Sequence, residues 1–113
     1  MSSEVVDFEA ARAIGEALPD VKDASGRLGM ALKLKGKLMA CKAIHDSAEP
    51  ESLMVQIDFK RREALLAQNP DTYYLTDHYA PYAAILVRLS RITRTSLKEL
   101  LIESCDYMKE ETR

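Results

Sequence analysis

Tryptophan is absent from the 113 residues, cysteine occurs twice, and neither sign of charge is in clear excess, with 16 Lys and Arg against 18 Asp and Glu. Each shortage removes a class of protein. Cys41 and Cys105 stand far apart, with no Cys-x-x-Cys and no histidine at metal-ligand spacing, so nothing points to a zinc site or a disulfide framework. Both read as small apolar core residues in a reducing cytoplasm, a disulfide or a reactive thiol being the alternatives. No apolar run comes near the roughly 20 residues that a bilayer span needs, and Ala83–Val87 is among the longest. The first residues carry acids early and lack a basic region followed by an apolar one, so no secretory signal is expected. A net charge of −2 speaks against a generally polycationic nucleic-acid binder. Serine-nucleophile motifs, phosphate-cradling glycine loops and carboxylate pairs at metal spacing are missing too, so no catalysis, cofactor or metal is expected. His45-Asp46 and Asp77-His78 are neighbours in sequence only. A catalytic dyad needs side chains within hydrogen-bond reach and a third group to orient the base.

What is present fits one domain over residues 1–113. A chain of this length should fold to a surface of roughly 6,000 Å² from roughly 18,000 Å² extended, enough burial for one core without staples. Asp7 can cap a helix over Phe8–Leu18, whose apolar stripe runs through Ala11, Ile14 and Gly15 until Pro19 stops it. Asp20 to Arg27 reads as a loop or a short edge strand. Met30–Ile44 reads as a hairpin turning at Gly36, with Leu32 and Leu34 inward and Lys33 and Lys35 outward. A two-residue turn carries the alternation through, sending Met39 and Cys41 to the core and Lys42 outward beside Lys33; a three-residue loop would reverse this. Leu53–Asp58 alternates as a third strand, with Leu53, Val55 and Ile57 inward. Asp58 can cap a helix over Phe59–Gln68 that Asn69-Pro70 ends. Thr72–Thr76 could be a strand. Ala83–Ser90 reads as a strand with Ile85, Val87 and Leu89 inward and Leu86 and Arg88 outward. Thr95 or Ser96 should cap a last helix with Leu97, Leu100, Leu101, Ser104, Cys105 and Met108 on one stripe. Helices and strands in this order make an α+β domain, with N-terminal, middle and C-terminal helices packed on an antiparallel sheet.

The net charge hides segregation. Residues 27–62 and 88–98 each carry +4, among three segments carrying −4, −3 and −3. If the basic elements are neighbours, Lys33, Lys42, Arg88, Arg91 and Arg94 form one cationic surface, either a solvated face or a polyanion site. Lys60-Arg61-Arg62 falls in the first turn of a helix, where the macrodipole disfavours cations, so it reads either as charge screened by Asp58 or as a phosphate site. Tyr73, Tyr74, Tyr79 and Tyr82 crowd around His78. Of these, Tyr73 and Tyr79 are candidates to stack on bases, the set could line a small-molecule groove, or it could pad the rim of a core without tryptophan.

Several segments in order carry a family likeness: Ala17-Leu18-Pro19-Asp20-Val21, Lys35-Gly36-Lys37, Asn69-Pro70, Tyr74-Leu75-Thr76-Asp77-His78-Tyr79, Val87-Arg88-Leu89, and the run from Leu97 to Ser104. From about Phe8 to Met108 the chain resembles the MmcQ/YjbR family of small bacterial proteins. The resemblance implies a two-layer fold with an antiparallel sheet and hairpin wings, similar to frataxin-like and secretion-chaperone-like domains. It also implies the family's usual label of a DNA-binding protein of double-wing type. Met30-Ala31 departs from the aromatic that relatives tend to carry after the glycine, and Ala83-Ala84-Ile85 from their tryptophan-containing strand start. Two ligands follow as expectations: DNA on the basic hairpin and strand face, or a protein partner on the exposed sheet face near Met54 and Leu86. No membrane contact is expected.

Overall fold

The computed structural model describes residues 6–111. Asp7 is extended and its carboxylate accepts the N–H of Ala10, starting helix α1 (Phe8–Glu16). Asp20, with φ of 68°, redirects the chain after Pro19 into β1 (Val21–Asp23). A tight hairpin joins β2 (Ala31–Leu34) to β3 (Lys37–Lys42), with Leu34 opposite Lys37. β4 (Ser52–Gln56) leads to α2 (Phe59–Gln68), where the Asp58 carboxylate accepts the N–H groups of Lys60 and Arg61. After β5 (Tyr73–Tyr74) and β6 (Ala84–Arg88), a single 3₁₀ turn precedes α3 (Arg94–Glu111). The strands form one sheet in the order β1-β2-β3-β4-β6-β5, every pair antiparallel. The helices cover one face, which makes this an α+β fold.

The core lies between that face and the helices. Leu32, Leu53, Val55, Ile85 and Val87 meet Ala11, Leu97 and Leu101, all fully buried. The six-residue stripe expected on the last helix is buried throughout. α1 approaches so closely that a Cβ at Gly15 would stand 2.3 Å from Leu32 Cδ1.

Three local expectations change. The register slips between Leu32 and Lys33, so Met39 and Ala40 are both buried, and Ala40, not Met39, pairs with Leu32. Such a bulge inserts one residue and inverts the alternation beyond it. Cys41 therefore turns to the open face beside Met54, and Lys42 pairs with the core residue Leu53, on the opposite side from Lys33. Leu86 does lie on the open face but is fully buried, between Met54 and Tyr74. The last helix starts at Arg94, and the Thr93 hydroxyl, not Thr95 or Ser96, accepts the N–H of Ser96.

Candidate functional site

The arginines nominated from charge are mostly committed within the molecule. Arg88 forks onto Glu49 at 2.8 Å for both contacts, stacks on the Tyr74 ring at 4.4 Å, and donates to the carbonyls of Pro70 and Asp71. The fork holds the Glu49 carboxyl below its usual range. Arg61 pairs with Glu103 through its Nε at 2.6 Å. Arg62 is buried, its Nη1 donating to the carbonyls of Ala80, Tyr82 and Ala84 at 2.8–3.2 Å, with its guanidinium 4.7 Å from the Phe59 ring centre. The first-turn amides that would greet a phosphate are occupied by Asp58. Of that triplet, Lys60 is exposed, Arg61 half-buried and Arg62 buried. Arg91 and Arg94 are exposed at the entry to α3, and Lys42 places its Nζ 5.7 Å from the Phe8 ring on the helix side. These nominated cations therefore do not share a face.

The tyrosines divide as well. Tyr73 is buried opposite Val87 towards the helices, and burial followed by the Glu103 carboxylate pushes its phenol up. Tyr74 serves as a brace: its hydroxyl accepts the N–H of Glu49 and lies 2.5 Å from Ser52 Oγ. Tyr79 and Tyr82 stand at the open face with two stacked imidazoles. His45 and His78 come from different loops, and their rings lie 3.5 Å apart and 6° from parallel, with Tyr79 edge-on to both. The Tyr79 hydroxyl accepts the N–H of His45, and the hydroxyls of Ser47 and Thr76 join the same loops at 2.8 Å. Imidazole lone pairs lie in the ring plane, so parallel stacked rings cannot converge on one metal ion. Among the described residues no cluster of three metal-ligating side chains occurs.

One end of the sheet gathers cations that no described acid neutralises. Lys33 lies directly across from Lys22 of β1, both exposed on the open face, with Leu38 on Lys33's other side. Lys35 and Gly36 form the hairpin turn with φ of 49° and 86°, and Lys37 follows. Arg27 stands at the tip of a second turn closed by mutual hydrogen bonds between Gly26 and Gly29. None of these five makes an ion pair with a described residue. Lys22, Lys35, Lys37 and Arg27 were not among the residues nominated from sequence. For Arg27, Lys35 and Lys37 the signal was the stretch from 27 to 45, which holds five cations and no acid; Lys22 lies outside it, between Asp20 and Asp23.

No protein-family model matches the chain. Across its whole length it superposes on 86% of the crystal structure of Deinococcus radiodurans protein DR2400, whose domain carries the family label DUF419, with a TM-score of 0.72 at 18% identity. That likeness is one of fold. In sequence it is 44% identical over 41 residues to uncharacterized proteins of Mycobacterium bovis and Mycobacterium tuberculosis. The match takes in 36% of this chain and 32% of the length of those relatives. Bacterial proteins without a described function are thus what it resembles. No described helix is long and apolar enough to cross a membrane.

Proposed function

We propose that this chain is a cytoplasmic, non-catalytic binding protein of the MmcQ/YjbR family that grips nucleic acid, DNA in the first instance, with the β1–β3 end of its sheet. The observation that carries the reading is the Lys22–Lys33 pair. Like charges directly opposite across a ladder are destabilising, by a few tenths of a kcal/mol up to about 1. A lysine at positive φ, as at Lys35, costs a further ~1 kcal/mol. The left-handed turn at Lys35-Gly36 is what a two-residue hairpin requires, but the Lys22–Lys33 pairing benefits nothing in the folded chain and suits a polyanion laid along the hairpin. Lys22 and Lys33 would contact backbone phosphates from the open face, Lys35 and Lys37 from the tip, and Arg27 from the neighbouring turn. Tyr79, Tyr82 and the exposed His78 offer ring surfaces to bases further along the same face. The net charge of −2 does not oppose this, because the field at the hairpin depends on where the acids lie, not on their total.

The test is an anisotropy titration of single- and double-stranded DNA at two salt concentrations, with Lys22→Ala/Lys33→Ala as control. Contacts to phosphates release counterions, so log K should fall linearly with log salt, by about 0.7 to 0.9 per phosphate contacted. The double variant should bind more weakly and reduce that slope by about 1.5. Absence of binding at low salt, or an unchanged slope in the variant, would reject the reading.

A further inference from the structure

We propose that a second, aliphatic groove at the same end of the molecule docks an acidic, aliphatic segment of a protein partner. The groove, about 370 Å³, runs from the turn at 26–29 to Ile44, with Cys41 in its floor. Among the large apolar side chains found exposed, Leu28 (69%), Ile44 (56%) and Leu38 (38%) all line it. Single exposed leucines are ordinary, but three converging on one concavity mark a contact surface. The local chain construction presents them. The Gly26–Gly29 turn holds Arg27 and Leu28 at its tip and rests on the stem of Lys42, where a Cβ at Gly29 would stand 2.9 Å from Lys42 Cδ. The bulge at Met39 turns Cys41, not a lysine, into the floor.

Charge selects the occupant. The charged residues of the lining are Arg27 and Lys42, both cations, with no acid among them. Lys42 contributes only its stem, its ammonium lying by Phe8, so a segment that sets leucine or isoleucine between Leu28 and Ile44 would bring carboxylates at its flanking positions to Arg27 and to Lys33, which lies opposite Leu38 on the same open face. The lining holds no aromatic ring, so it offers bases nothing to stack on, and a nucleic-acid occupant is disfavoured here. This inference goes beyond the nucleic-acid reading and does not depend on it.

The experiment titrates two labelled synthetic peptides with the same leucine and isoleucine positions, one with glutamate between them and one with lysine. Each is added to the full chain and to Leu28→Ser/Ile44→Ser, with alkylation of Cys41 by iodoacetamide followed in parallel. Cys105, being buried, serves as the unreactive reference. The glutamate peptide should bind and slow Cys41 alkylation, and the lysine peptide should bind at least about tenfold more weakly. The double variant, altered only at exposed positions, should keep its melting temperature and its salt-dependent DNA binding but lose about tenfold or more in affinity for the glutamate peptide. Failure of the glutamate peptide to slow alkylation, equal binding of the lysine peptide, or full affinity in the variant would overturn the proposal. So would slowing of Cys41 alkylation by a single-stranded oligonucleotide, which would give the groove to nucleic acid. Loss of DNA binding with peptide binding intact would instead fault the preceding reading alone.

Discussion

Arg62 and Lys33 are both cations, and their surroundings give them opposite roles. The Arg62 guanidinium is buried and ties three alternate carbonyls, those of Ala80, Tyr82 and Ala84 at the entry to β6, to α2. Arg62→Ala should cost about 3 kcal/mol, read from denaturant unfolding, because charge-assisted bonds are lost and buried acceptors are left unmet. Ser104 is the reverse case: its hydroxyl is fully buried with no partner among the described residues. Ser104→Ala should therefore raise stability by about 1 kcal/mol, and a loss in the same assay would show that the hydroxyl is bonded after all. From the sequence, Lys60-Arg61-Arg62 looked like one cationic unit. Residue type reports charge, but Glu103, which holds Arg61, and the three carbonyls that hold Arg62 lie 18 to 42 positions away and cannot be read from spacing.

At the scale of elements, period and capping residues proved informative. Asp7 and Asp58 cap the helices expected of them, and the buried stripe of α3 is the one its 3.6-residue spacing requires. The Met39 bulge was not legible, since an extra residue in one strand has no signature until the partner strand is known. That one residue moved Lys42 away from Lys33 and carried Cys41 to the open face. Gly15 illustrates a second hidden constraint. Alanine would gain helix propensity, but its Cβ would press into fully buried Leu32, so Gly15→Ala should destabilise by about 1–2 kcal/mol in thermal melts. The loop before β4 is held by Glu49 on Arg88, and its pH dependence has a definite sign. Arg88 lowers the Glu49 carboxyl, so the folded state favours its ionised form. The associated stability is present above the ordinary carboxylate value near 4.5 and is lost as pH falls through the lowered folded value. Melting temperatures recorded from pH 6 down to about 3 should show part of this decline removed in Glu49→Gln.

Over the whole molecule, segregation of charge matters more than its sum. The acid-free stretch from 27 to 45 folds into one end of the sheet, while Arg88 of the second basic stretch is held in internal contacts and Arg91 and Arg94 lie apart at the entry to α3. The fold class and the location of the core were legible because burial follows periodicity. Which cations remain available to a ligand was not, because that depends on pairing between distant segments. The central claim is that Lys22 and Lys33 face each other for the sake of a polyanion. The most direct measurement is the affinity of Lys33→Glu for single-stranded DNA at low salt, taken with its melting temperature. Glutamate opposite Lys22 turns a repulsive cross-strand pair into an attractive one, so stability should rise by about 0.5 kcal/mol. Affinity should fall by about tenfold or more in the same protein. Undiminished affinity, or a melting temperature that falls along with it, would contradict the account.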